Sequence, residues 1–284
     1  MSSFFRLLRC DVSKSLPLLK WRFLACFIVA LTLSVLSVRY AQFYYSISDP
    51  VAVVSFTLGD AIVNLFAGRS TYYPSEAEPF VLPATWMTVV LLMLFATLDY
   101  PWSDLGSTGS ASILACGSRS VWWLAKCAWV VIVILLLCLT VIAACAMAVL
   151  ATGGPLSFDV STNVPFYLLF DIYSLKESPW DFVSFAAALP IVLCTLGLLQ
   201  LHIALVLRPL PAFGAMAVLL ILSAYFTHPL IVGEYLMAAR SAVFLVDGLS
   251  PAFGVMLCAV FVPWLLVHGT LWFKHSDLIF RGDS

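Results

Sequence analysis

Charge is what this sequence has least of. Only 10% of its 284 residues are Asp, Glu, Lys or Arg, against 63% hydrophobic, and the mean hydropathy is +1.05. A water-soluble domain of this length cannot hide so much apolar surface in one core, so the chain needs lipid as a second apolar solvent. Motifs that carry chemistry are missing as well. There is no HExxH, no paired glutamates, no glycine-flanked serine with a matching histidine and no GxxxxGK[ST] loop. An intramembrane protease, a lipid-modifying enzyme and a self-contained ATPase therefore lack their residues. The chain reads as a non-enzyme with no cofactor or metal and no nucleic-acid partner. External cysteine is lacking too: Cys10, Cys26, Cys116, Cys127, Cys138, Cys145, Cys194 and Cys258 all fall in expected spans or cytoplasmic segments. Disulfides are not expected, and without a CxxC pair or a Cys/His cluster neither is structural zinc.

What is present is a series of long apolar runs. A helix needs roughly 20 apolar residues to cross a hydrocarbon core about 30 Å thick. Six segments meet that need: Phe23 to Phe43, Phe80 to Leu98, Cys127 to Ala151, Phe182 to Leu207, Pro211 to Thr227 and Ala252 to Phe273. The expected fold is an all-α membrane protein, one transmembrane domain over residues 1–284, with about six spans. Orientation follows from lysine and arginine. Starting inside puts Arg6, Arg9, Lys14, Lys20, Arg22, Arg119, Lys126, Arg208, Lys274 and Arg281 in the cytoplasm, leaving Arg69, Lys176 and Arg240 outside. Both termini are then cytoplasmic, and residues 44–79, 152–181 and 228–251 are external.

Two segments need separate treatment. Pro50 to Gly68 is apolar, but it is short and holds Gly59, Asp60 and Asn64 at its middle, where a charge facing lipid costs several kcal/mol. It reads as an external interfacial or re-entrant helix, not a seventh span. Residues 1–22 alternate apolar and basic side chains, which suits a helix lying in the inner interface, with Pro17 bending the chain into the membrane. His202 and His268, the spans' exceptional ionisable residues, fall toward the cytoplasmic ends of their helices.

The connection 99–126 carries the most information. Asp99-Tyr-Pro ends the second span, Ser110 to Cys116 can form a short helix stopped by Gly117, and Ser118 can cap the next helix. Trp122, Trp123 and Lys126 then sit where an interfacial belt is expected. The string GSRSVWWLAKCAWV, preceded by DYPWSDLGSTG and by TLGDAIVNLFAG, resembles the small permease subunits of bacterial ABC-2 type ABC transporters. Recognisable motifs cover roughly residues 56 to 150; the remainder is similar in hydropathy only. The resemblance implies a multi-pass protein of the bacterial plasma membrane that works with an ATP-binding ABC subunit and a second permease copy, as a homo- or heterodimer. It also implies a coupling helix at about Ser110 to Gly117, so that Asp104, Ser110, Ile113, Leu114, Arg119, Trp122, Trp123 and Lys126 form an ATPase-coupling loop. Between the last two spans, Val232 to Val246 reads as an apolar helix too charged to cross, a re-entrant external helix whose Glu234 and Arg240 would belong to an outer gate. The alternative function is a non-transporting immunity or sensor protein against a peptide antibiotic.

Overall fold

A computed structural model describes residues 3–48, 56–74, 79–106, 118–161, 175–177 and 179–275. Regular structure among them is helical: α1 (Ser3–Ser48), α2 (Leu58–Leu65), α3 (Ala84–Thr97), α4 (Tyr100–Asp104), α5 (Arg119–Ala151), α6 (Phe182–Leu207), α7 (Pro209–Tyr225) and α8 (Pro251–His275). Five of the helical segments, Ser3–Phe43, Ala84–Asp104, Arg119–Ala151, Phe182–Leu207 and Pro251–Lys274, are long and apolar enough to cross a membrane. That composition and length are compatible with a multi-pass membrane protein. The helix over Pro209–Tyr225 is shorter, 17 residues, or about 26 Å at the α-helical rise.

The bundle is organised around α5, which packs against α1, α3, α6 and α8. Helices α1 and α5 run side by side in the same direction, since Asp11 meets Lys126, Ser15 meets Trp129 and Ser34 meets Cys145. The small residues Ala144 and Ala148 are consumed inside this chain, both fully buried, which lets neighbouring helices approach closely. Gly269 of α8 does the same against the Trp123 ring, which occupies the space a Cβ would need.

Two expectations meet the structure here. The N-terminal segment is continuous with the first span, since α1 runs as one helix through Pro17 for 46 residues. Pro17 lies on the exposed side of that helix, while Asp11, Ser15 and Leu19 on the other side are buried and fix the backbone on either side of it. The second concerns Val232 to Val246, which is not a helix. It forms two short 3-10 turns, Val232–Leu236 and Ala238–Arg240. Its amides are drawn elsewhere: Ala238 N–H donates to Phe66 O at 2.8 Å and Ala239 N–H to Ala67 O at 2.9 Å. Those bonds complete the C-terminal end of α2, whose last carbonyls otherwise have no helical partner.

Residues 50–68 are likewise settled where they are described. Helix α2 has only eight residues, too few to span. It starts in a capping box in which Thr57 Oγ1 accepts from Asp60 N–H while an Asp60 carboxylate oxygen accepts from Thr57 N–H. All but one of its residues are buried, and it ends at Gly68, whose positive φ of 69° with Met237 packed against its Cα leaves room for glycine alone.

Candidate functional site

At one end of the bundle, the two ends of the 99–126 connection are held together by buried charge. Lys126, on the first turns of α5, is fully buried, and its Nζ lies 2.6 Å from Asp11 Oδ1 and 2.7 Å from Asp104 Oδ2. An ammonium taken out of water is tolerated only when its hydrogen bonds are replaced, and here the two carboxylates replace them. The rings of Tyr100 and Trp122 complete the cage, with Nζ 4.8 Å and 5.2 Å from their centroids. Tyr100 Oη donates to Asp11 Oδ1 at 3.0 Å and Trp122 Nε1 to Asp104 Oδ2 at 3.3 Å. One turn further on, Trp129 Nε1 donates to Ser15 Oγ at 2.6 Å.

The start of the connection has a second tie. Arg22 of α1 reaches Asp99 Oδ2 at 2.5 Å and donates through Nη1 to Phe95 O and Ala96 O at the C-terminal end of α3. Its guanidinium so satisfies carbonyls that the end of a helix leaves free. Ser118 caps α5 as expected, its hydroxyl accepting from Val121 N–H. Of the residues assigned from sequence to the coupling loop, the structure brings Asp104, Trp122 and Lys126 into one cluster. Trp123 turns away toward α6 and α8, donating to Leu266 O at 3.2 Å and presenting an edge to His202. Arg119 opens α5. Ser110, Ile113 and Leu114 lie outside the described residues. Asp11, Tyr100 and Arg22 are further members of these ties that sequence spacing did not reveal.

At the other end, Glu234 and Arg240 meet directly. Arg240 Nη1 lies 3.2 Å from Glu234 Oε2, and both side chains are buried. The guanidinium also donates to four carbonyls: Ser223 O and Phe226 O at 2.6 Å each, Ala224 O at 2.7 Å and Arg69 O at 3.0 Å. Three of these belong to the end of α7, so Arg240 is the C-terminal cap of that helix as well as an ion-pair partner. His228 N–H fills the remaining side of Glu234, donating to Oε1 at 2.7 Å. Burial pushes the Glu234 carboxyl up and the Arg240 guanidinium down, each held back by the other. Asp60 is nearby in kind, a buried carboxylate that accepts from Thr57 N–H and from Ser161 N–H at 2.8 Å. Burial outweighs those bonds and raises its pKa to about 6.

Between the two ends, side chains are nearly all apolar. A cavity of about 110 Å³ is enclosed by Ile62, Phe66, Met93, Cys138, Phe158 and Leu189. A larger groove of about 490 Å³ opens between α5, α6 and α8, bounded among others by Leu135, Cys194, Thr195, Cys258 and Pro263. His202 Nε2 and His268 Nδ1 face each other at 3.2 Å across α6 and α8. Among the described residues no group of three or more His, Cys, Asp or Glu side chains is placed to hold a metal ion. The chain matches no protein-family model, no curated protein and no solved structure.

Proposed function

We propose that this chain is the membrane-spanning permease subunit of an ATP-driven exporter of the ABC-2 type, set in a bacterial plasma membrane with six spans and both termini inside. In this reading α7 is the fifth and shortest span, a second permease copy completes the path, and an ATP-binding ABC subunit supplies the stroke. The cargo is hydrophobic or amphipathic, a peptide, drug or lipid, in keeping with the apolar lining of the cavity and groove.

The observation that carries the proposal is the buried Asp11–Lys126–Asp104 cluster. A connection that transmits force must be stiff where it joins the spans. Asp104 leaves α3 and α4, Lys126 enters α5, and Asp11 belongs to α1, so a push on residues 107–117 is delivered to three helices together.

The test places a photo-crosslinking amino acid at Ile113, with the exposed Leu230 at the opposite end as control. Irradiated cells should yield an adduct between the Ile113 variant and a polypeptide carrying GxxxxGK[ST], and none from Leu230. No adduct at Ile113, together with a purified chain that retains no ATP-binding subunit, would reject the transporter reading.

A further inference from the structure

The first helix carries a cationic face that no other described part of the chain covers. Between Ser3 and Arg22, α1 packs inward through Leu8, Val12 and Leu19 and buries Asp11 and Ser15. At about 100° per residue, these positions fall on one half of the helical wheel. On the opposite half Arg6, Arg9, Lys14, Lys20 and Trp21 stand exposed, and Phe5 and Leu16 are exposed at its edge. Asp11, the one acid in the segment, is turned inward onto Lys126, and Arg22 is turned to Asp99. The outer face is therefore positive with no carboxylate of its own segment to balance it.

Depth decides what such a face meets. Because Asp11 is level with Lys126 and Ser15 with Trp129, the segment lies alongside the first turns of α5. Trp122, near the start of α5, stacks on Phe273 at the end of α8. Arg6 and Arg9 therefore stand near those helix ends, and Lys14 and Lys20 follow about 12 Å and about 21 Å further along α1 than Arg6, so the face runs lengthwise through a headgroup layer. Lysine and arginine stems run along apolar surface there while their heads reach phosphate, and the exposed Phe5, Leu16 and Trp21 suit the same boundary. A soluble acidic protein would match the charge but would leave those apolar side chains unaccounted for.

We propose that the face of α1 from Phe5 to Trp21 binds the headgroups of anionic phospholipids. The proposal rests on the chain being a membrane protein and on no part of the transporter reading. Its consequence is that one helix touches anionic lipid on one side and, through Asp11, the base of the 99–126 connection on the other.

The full chain is reconstituted in vesicles, and quenching of its tryptophans is compared between brominated phosphatidylglycerol and brominated phosphatidylcholine. Phosphatidylglycerol should bind more tightly, by about fivefold for each cation engaged, and 0.5 M salt should erase most of the preference. The variant Arg6→Gln/Arg9→Gln/Lys14→Gln/Lys20→Gln should lose it as well, with its thermal unfolding in detergent unchanged because Asp11, Ser15 and Leu19 are untouched. Trp21→Phe should remove the part of the quenching that depends on phosphatidylglycerol. Equal binding of both lipids by the parent chain, or an undiminished preference in the fourfold variant, overturns the proposal. If that variant instead keeps its lipid preference and loses an acidic protein partner, the face belongs to the partner.

Discussion

The two ends of the bundle hold their buried charge in different ways. Around Lys126 the partners are all side chains: Asp11, Asp104 and the rings of Tyr100 and Trp122, drawn from α1, α4 and α5. Arg240 has one side-chain partner, Glu234, and otherwise serves backbone carbonyls. Side-chain partners can be replaced together, whereas the carbonyls that end α7 remain polar whatever the sequence. The cluster at Lys126 is thus a removable fastening and the one at Arg240 a fixed one.

The largest expected effect follows from this difference. Arg240→Met strips donors from four carbonyls and leaves Glu234 buried without a cation, which should cost about 5 kcal/mol or more of stability. Glu234→Gln added to it should restore little, because the carbonyls of Ser223, Ala224 and Phe226 are still unmet. Thermal unfolding of the purified chains in one detergent measures both. A double variant that unfolds like the parent would show that the carbonyls find water easily and that this end is not fixed by Arg240.

Lys126→Met comes next, at about 3 kcal/mol, since two carboxylates are left facing each other in a buried site. Here the second-site changes should succeed. Asp11→Asn and Asp104→Asn added to Lys126→Met remove the buried charge altogether, and most of the lost stability should return. Arg22→Gln is the control for exposure: its pair with Asp99 is 26% and 49% exposed on the two sides, and the loss should stay below about 1 kcal/mol. If the triple variant unfolds as early as Lys126→Met alone, the cluster is more than a fastening of charges. Under the proposed transporter reading, export should fall in the triple variant although its fold is intact.

Much of this architecture was legible in the residues, for reasons that also show where reading stops. The span Phe182 to Leu207 coincides with α6 and Ser118 caps α5, because apolar length and capping chemistry are local. The partners of Lys126 were invisible, since Asp11 lies 115 positions away and no periodicity links them; the lysine looked like an interfacial anchor. Glu234 and Arg240, six positions apart, would not share a face of the helix expected there, and they meet because the segment is two short turns instead. Phe66 and Ala67, at the end of α2, compete for its amides, and no local pattern shows that. Thr57-Leu58-Gly59-Asp60, by contrast, is a readable helix start, and it would have turned Asp60 from an obstacle to spanning into the first turn of a short buried helix.

Asp60 yields the finest test of the Arg240 end as the fixed one. Its pKa rises from 3.8 to about 6 on folding, so between those values the folded chain holds a proton that the unfolded chain has released. Stability from this group is therefore fully present below pH 3.8 and is lost as pH rises through about 6, at up to about 1.4 kcal/mol per pKa unit. Asp60→Asn removes the titration. The neutral amide still accepts one N–H but points its NH2 at the other, Thr57 or Ser161, so the variant should start lower by about 1 kcal/mol. Hydrogen exchange of the α2 amides should quicken between pH 4.5 and 7 in the parent, after correction for intrinsic rates, and stay level in Asp60→Asn. Protection in both chains that is flat with pH would mean that Asp60 is ionised throughout. The bonds from Thr57 and Ser161 would then outweigh burial, and this end of the bundle would be fixed at α2 as firmly as it is at Arg240.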